Sequence, residues 1–280
     1  MKKQRFSPAM LQMFKKNLSE NEKSIATLEK YIRDIKHFSQ FAGDRPIDKA
    51  LVLEYKTLLN SEYAVRSANS MLASLNAFLR FMGWYELCVK QFKVQKDAYC
   101  SESKELTKGE YMSLVKAAQK ENNERLALIV QTICATGIRV SELQWITAEA
   151  AQKGEAVVSC KAKTRKVFIV ASLRKLLTRY AKQQGITSGP LFVTKNGNPL
   201  NRSNIWRQMK GLCAKAGVLP EKVFPHNLRH LFARIFYNLE KDLAKLADIL
   251  GHSNINTTRI YIMTTSNEHR RRMENMRLIL

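Results

Sequence analysis

The sequence predicts a mainly α protein with a small β-sheet, divided into a helical N-terminal domain and a mixed α/β C-terminal domain. Three observations predict it. Apolar residues recur at helical spacing through most of residues 1–95 and again from 107 onward. Two β-like runs, "AVVSC" (156–160) and "KVFIV" (166–170), break that period. Between the halves, "QKDAYCSESKEL" (95–106) has little periodicity and reads as a linker. The expected division is therefore 1–95, a linker over 96–106, and 107–280.

In chain order, Ser19 followed by Glu22 matches a capping box and predicts a helix opening there. Leu28, Tyr31, Ile32, Ile35 and Phe38 continue its apolar face until Gly43 and Pro46 stop it. A second helix is predicted over 48–59 (Leu51, Tyr55, Leu58). A third covers 66–82 (Met71, Leu72, Leu75, Phe78, Leu79, Met82). Thr107 and Glu110 form another capping box, with helices expected at 107–119 and 124–135. The two β-like runs are joined by the basic hairpin "KAKTR". "GPLFVTKNGNPL" (189–200) predicts one more short strand and an Asn196-Gly197 turn. The remainder reads as helical, with no internal repeat.

At 280 residues the chain can bury two cores. Its net charge of +23 points to a polyanionic partner, nucleic acid ahead of an anionic membrane surface. Residues 1–103 hold 17 Lys/Arg against 11 Asp/Glu, and residues 104–280 hold 30 against 13. Both halves are basic, as two halves of a clamp around DNA would be. The five cysteines form no C-x-x-C pair, so neither a zinc site nor a disulfide framework is expected, which fits a reducing cytoplasm. Pro8, Lys15 and Lys16 leave no signal-peptide core, and no later apolar run is long enough to predict a membrane span.

The stretch "LGHSNINTTRIY" (250–261) resembles half of a helix-turn-helix, with Leu243, Leu246 and Ile249 before the turn and Ile255 and Ile260 after it. That packing requires neither His252 nor Tyr261, which is expected on the next helix. "PHNLRH" sets His226 and Arg229 on one helix face, with His230 beside them. "ATGIRVSEL" puts Arg139 at a glycine-containing turn where a helix begins, with Glu142 one turn along. Singly, an Arg-x-x-Glu pair reads as a surface ion pair and a helix histidine as a structural residue. Together they make a chemical proposition. Two arginines can grip one phosphate and stabilise a pentacoordinate transition state. A histidine can manage a nucleophile's proton, and a tyrosine hydroxyl becomes competent among cations. A lysine on a hairpin can protonate a leaving alkoxide. No Asp/Glu cluster is available to hold Mg²⁺, so the arginines are expected to do that electrostatic work.

On "ATGIRVSEL", "CKAKTRKVFI", "HNLRHLFA" and "LGHSNINTTRIY", in that order, the chain resembles the tyrosine recombinases, the integrase family of site-specific DNA recombinases. The match covers roughly 105–265, and the basic helical region before it resembles the family's core-binding domain. The resemblance implies a catalytic domain of the tyrosine recombinase type and no cofactor. It implies that Tyr261 attacks the scissile phosphate to give a 3′-phosphotyrosyl link, that Arg139 and Arg229 bind the phosphate, and that His252 donates a further hydrogen bond. His226 then serves as base and acid, Lys161 protonates the leaving oxygen, and Glu142 and His230 support these groups. The family's hairpin usually reads Gly-Lys-Gly; here Cys160-Lys161-Ala162 is followed by Lys163, the competitor for the same role.

The implied partner is a double-stranded recombination site, bound by a tetramer linked through the tail at 267–280. An accessory DNA-bending protein is compatible with this, a membrane is not, and the expected location is cytoplasmic, at the nucleoid. The N-terminus is expected to be too short for an additional arm-binding domain. The rival readings are a type IB topoisomerase-like enzyme and a non-catalytic helix-turn-helix regulator.

Overall fold

The computed structural model describes residues 5–94, 105–160, 163–194, 196–262 and 273–276. It forms two compact units, Met1–Lys96 and Asp97–Leu280. Among the described residues, no helix is long and apolar enough to cross a membrane.

Among the described residues the first unit packs four α-helices: α1 (Pro8–Glu20), α2 (Ile25–Ala42), α3 (Lys49–Glu62) and α4 (Val65–Phe81). Their apolar faces meet in one core containing Phe14, Ile35, Phe38, Tyr55, Leu72 and Phe78. Each such side chain contributes on the order of 1.5–3 kcal/mol by leaving water. The buried Asp34 is satisfied by Lys30 Nζ at 2.6 Å and Ser74 Oγ at 2.8 Å, the lysine lying one helical turn away.

The helix expected to open at Ser19 does not open there. Ser19 lies in the last turn of α1, where its hydroxyl donates to the Lys15 carbonyl. Glu22, at φ 52°, instead takes the left-handed conformation in the turn after α1. Ser24 caps α2, accepting from the Thr27 amide at 3.3 Å. Pro8 sits at the first turn of α1, where its missing N–H costs no hydrogen bond.

The second unit starts at α5 (Lys108–Lys120), opened by the reciprocal Thr107–Glu110 capping box. Helix α6 (Glu124–Thr136) is its centre. Leu126 through Val130 are buried without interruption, as expected for a helix enclosed on all sides. A 3₁₀ helix (Val140–Trp145) and α7 (Ala148–Lys153) lead to β1 (Glu155–Cys160) and β2 (Lys163–Phe168). These strands pair antiparallel with Val158 opposite Arg165 and Cys160 opposite Lys163.

Helices α8 (Ala171–Gln183), α9 (Arg202–Gly211), α10 (Cys213–Ala216), α11 (Pro225–Glu240), α12 (Leu243–Leu250) and α13 (Ile255–Arg259) follow. Among the described residues of 189–200 the expected strand does not form; they make only isolated bridges, Thr147 to Pro190 and Val193 to Pro199. Prolines at both contacts lack the N–H a continuing ladder needs. Tyr261 falls not on a continuing helix but in a closing 3₁₀ turn, Ile260–Ile262.

Candidate active site

Helix α6 stops at Gly137, which takes the left-handed conformation at φ 66°. A Cβ there would lie 2.5 Å from the Phe232 ring, so both the turn and the close approach of α11 require glycine. Two residues on, Arg139 caps the 3₁₀ helix, and Glu142 folds back beneath it. The Glu142 carboxylate accepts from the Arg139 amide at 2.7 Å and from Arg139 Nη1 at 2.9 Å. The Glu142 side chain is 2% exposed and that of Arg139 36%. The buried carboxylate thus anchors one edge of a guanidinium whose remainder is open. Burial alone would raise the Glu142 carboxyl, but hydrogen bonds from Arg165 and from the backbone and side chain of Arg139 hold it below its ordinary value.

Arg229 lies one turn into α11 and is 1% exposed. It donates to two carbonyls at helix ends: Nη1 to Gly137 O at 2.6 Å and Nη2 to Leu250 O at 2.8 Å. Helix C-termini carry partial negative charge, which offsets part of the cost of burying a cation. Nη2 also meets His252 Nε2 at 2.8 Å. Its Nε is buried without a hydrogen bond among the described residues. Burial and Arg139 disfavour the charged guanidinium, while the nearby Tyr261 phenol favours it.

His252 sits in the turn between α12 and α13, after the left-handed Gly251. An arginine can only donate, so Nε2 accepts and the proton resides on Nδ1, which donates to Thr258 Oγ1 at 2.9 Å. Burial, then Arg229, Arg139, Arg165 and His226, push its pKa down to about 4.

The Tyr261 side chain is 5% exposed and ringed by imidazoles. It stacks on His252 (11° between planes, centroids 5.5 Å apart) and meets His230 edge-on at 4.3 Å. Its hydroxyl lies 3.4 Å from His226 Nε2. His226 reaches solvent, yet crowding of the ring and the charges of Arg229, Arg202 and Arg139 lower its pKa. Burial, followed by His226, Arg234 and Arg229, brings His230 down to about 4.

The fold therefore brings together Arg139, Glu142, His226, Arg229, His230, His252 and Tyr261, drawn from three separate segments. Lys161 lies outside the described residues, and Lys163 opens β2. Four contributors escaped the sequence reading: the carbonyls of Gly137 and Leu250, the Thr258 hydroxyl and Arg165. Arg165 had a signal. It lies two residues before Val167 on β2, and strand alternation places it on that buried face.

Such a set can bind a phosphodiester through guanidinium groups and set a phenol beside a neutral imidazole. Comparisons with known proteins agree. Residues 104–268 match the model of the phage integrase family. The chain is 29% identical over 269 residues to tyrosine recombinase XerD of Xanthomonas axonopodis pv. citri, covering 85% of this chain and 86% of that protein. It is 28% identical over 279 residues to tyrosine recombinase XerA of Pyrococcus furiosus, covering 96% and 94%. Its fold matches a lambda integrase tetramer bound to a Holliday junction, at TM-score 0.71 and 20% identity over 90% of this chain and 76% of that one. The chain belongs to the phage integrase family and is a tyrosine-type, site-specific DNA recombinase, an enzyme that cleaves and rejoins DNA.

Proposed function

We propose that this recombinase opens its DNA site with Tyr261. The phenolic oxygen bonds to phosphorus, the bond from phosphorus to the 5′-oxygen breaks, and a 3′-phosphotyrosyl link remains. His226 takes the phenolic proton, and Lys161, or Lys163 in its place, gives one to the departing 5′-oxygen. Arg139 and Arg229 carry the charge that builds on the non-bridging oxygens. The observation that carries this reading is the Tyr261 hydroxyl 3.4 Å from His226 Nε2, a loose contact beside the Arg229 guanidinium.

His252 has a two-step part. Its Nε2 accepts from Arg229, so donating to a phosphate oxygen requires Arg229 to turn to that oxygen first. Nδ1 then gives its proton to water, Nε2 takes one from water, and the Thr258 hydroxyl reverses to donate to the bare Nδ1.

The N-terminal helical unit serves as a core-binding domain on double-stranded DNA. Four protomers assemble there, as the lambda integrase tetramer does on its junction. The biological outcome is integration or excision of a mobile element, or resolution of DNA multimers; mapping the cleaved positions in DNA flanking the gene separates these. The test of the chemistry is covalent trapping on a nicked duplex. The wild-type chain gives a protein–DNA adduct in excess EDTA, and Tyr261→Phe binds the duplex without forming one. An adduct from Tyr261→Phe removes the nucleophile assignment.

A further inference from the structure

We propose that Arg165 is a positioning residue of the transesterification site, holding Glu142, and through it Arg139, in register with the turn that carries His252. It lies on β2, apart from the segments that carry Arg139, Arg229 and His252, yet it reaches both sides of the phosphate-binding groups. Arg165 Nη1 and Nη2 donate to the two Glu142 oxygens at 3.0 and 2.8 Å. Such a paired arrangement fixes the plane of the carboxylate as well as its place. The other edge of the same carboxylate accepts the Arg139 amide and guanidinium. Glu142 is thus shared between an arginine that is 14% exposed and one that opens to solvent.

The second side is the His252 turn. Arg165 Nε donates to the Ile249 carbonyl at 3.1 Å, in the last turn of α12. The stem of the side chain passes beneath Gly251, where an added Cβ would come within 2.8 Å of Arg165 Cδ. One guanidinium therefore spans 84 residues to α12 and 23 to Glu142. A lysine can replace its charge but not its fork. A single ammonium cannot hold both carboxylate oxygens in one plane and also reach the Ile249 carbonyl as the three-donor edge does.

The inference rests on the reading of Arg139 as a phosphate-binding group, and the test separates the two. Single-turnover cleavage is measured for Arg165→Ala, Arg165→Lys, Arg139→Ala and the Arg139→Ala/Arg165→Ala double variant, together with DNA affinity. By analogy with other residues that orient a reacting group, Arg165→Ala slows cleavage roughly 10–100-fold with affinity nearly unchanged, and Arg165→Lys recovers only part. A residue that works through Arg139 has little left to lose once Arg139 is gone. The second substitution in the Arg139→Ala background therefore costs less than about threefold. Equal loss in both backgrounds, the pattern of general destabilisation, overturns the proposal, as does cleavage by Arg165→Ala at the wild-type rate. Wild-type cleavage by Arg139→Ala alone instead overturns the Arg139 reading.

Discussion

Arg229 Nη2 and His252 Nε2 lie 2.8 Å apart, and this one contact sets the tautomer of His252. A histidine carrying a proton on Nε2 would point a donor at a donor. The imidazole is therefore neutral with its proton on Nδ1, where the Thr258 hydroxyl, which can accept as well as donate, takes it.

Stability is expected to fall on mild acidification. His230 and His252 are pushed to about 4 in the folded chain, from 6.5. Between those values the unfolded chain binds protons that the folded one refuses. Their contribution is complete above about 6.5 and is lost as pH falls toward about 4. The lowered pKa of His226 adds in the same direction. Urea unfolding at a series of pH values should show this slope, and His230→Gln should reduce it. A flat profile over that window contradicts the buried-imidazole description.

Gly137→Ala should be far more damaging than Gly217→Ala. Both glycines are left-handed, at φ 66° and 63°, which costs an alanine about 1–2 kcal/mol. Gly217 faces open space, whereas a Cβ on Gly137 meets Phe232 at 2.5 Å and Leu250 at 3.1 Å. Overpacking adds about 1–3 kcal/mol and displaces the carbonyl that holds Arg229. Denaturation midpoints and cleavage rates of the two variants provide the comparison. Equal effects would mean that the approach of α11 is not tight.

The two hairpin lysines separate by leaving-group chemistry. A substrate whose 5′-bridging oxygen is replaced by sulfur releases a thiolate, which needs no proton. Lys161→Ala should be slow on the ordinary phosphodiester, by about 10²-fold or more, and near wild-type on the sulfur substrate. Lys163→Ala should show no such selective recovery. The reverse pattern transfers the role to Lys163.

The tail carries an assembly prediction. Met273, Met276 and Leu280 fall at i, i+3 and i+7 beside the basic run Arg270–Arg272, and most of 267–280 lies outside the described residues. Met273 and Met276 are both exposed. As a contact exchanged between protomers, residues 273–280 should be dispensable for binding one site and needed for cooperative assembly. Recombination by the truncated chain at the full rate would reduce the tail to a local appendage.

Local patterns were legible wherever one short-range interaction decides the outcome. Helical spacing located α2, α3 and α4, and the Thr107–Glu110 box marked the start of α5, because caps and apolar faces are settled within a few residues. The same rule misplaced the box at Ser19, since α2 is capped by Ser24, whose hydroxyl meets the Thr27 amide without a Glu or Gln three residues on. The strand expected in 189–200 failed because a strand exists only with a partner, and Pro190 and Pro199 deny it one.

For the site, the sequence by itself named the candidates: two arginines, a hairpin lysine, three histidines, a glutamate and a tyrosine in segments whose residue types suit a phosphodiester. The tertiary structure alone decided how they are held. Arg229 is fixed by the carbonyls of Gly137 and Leu250, 92 and 21 residues away, and Glu142 by a guanidinium on β2. Such contacts leave no periodic trace, because a hydrogen bond between distant segments constrains geometry at one point and imposes no pattern on the residues around it.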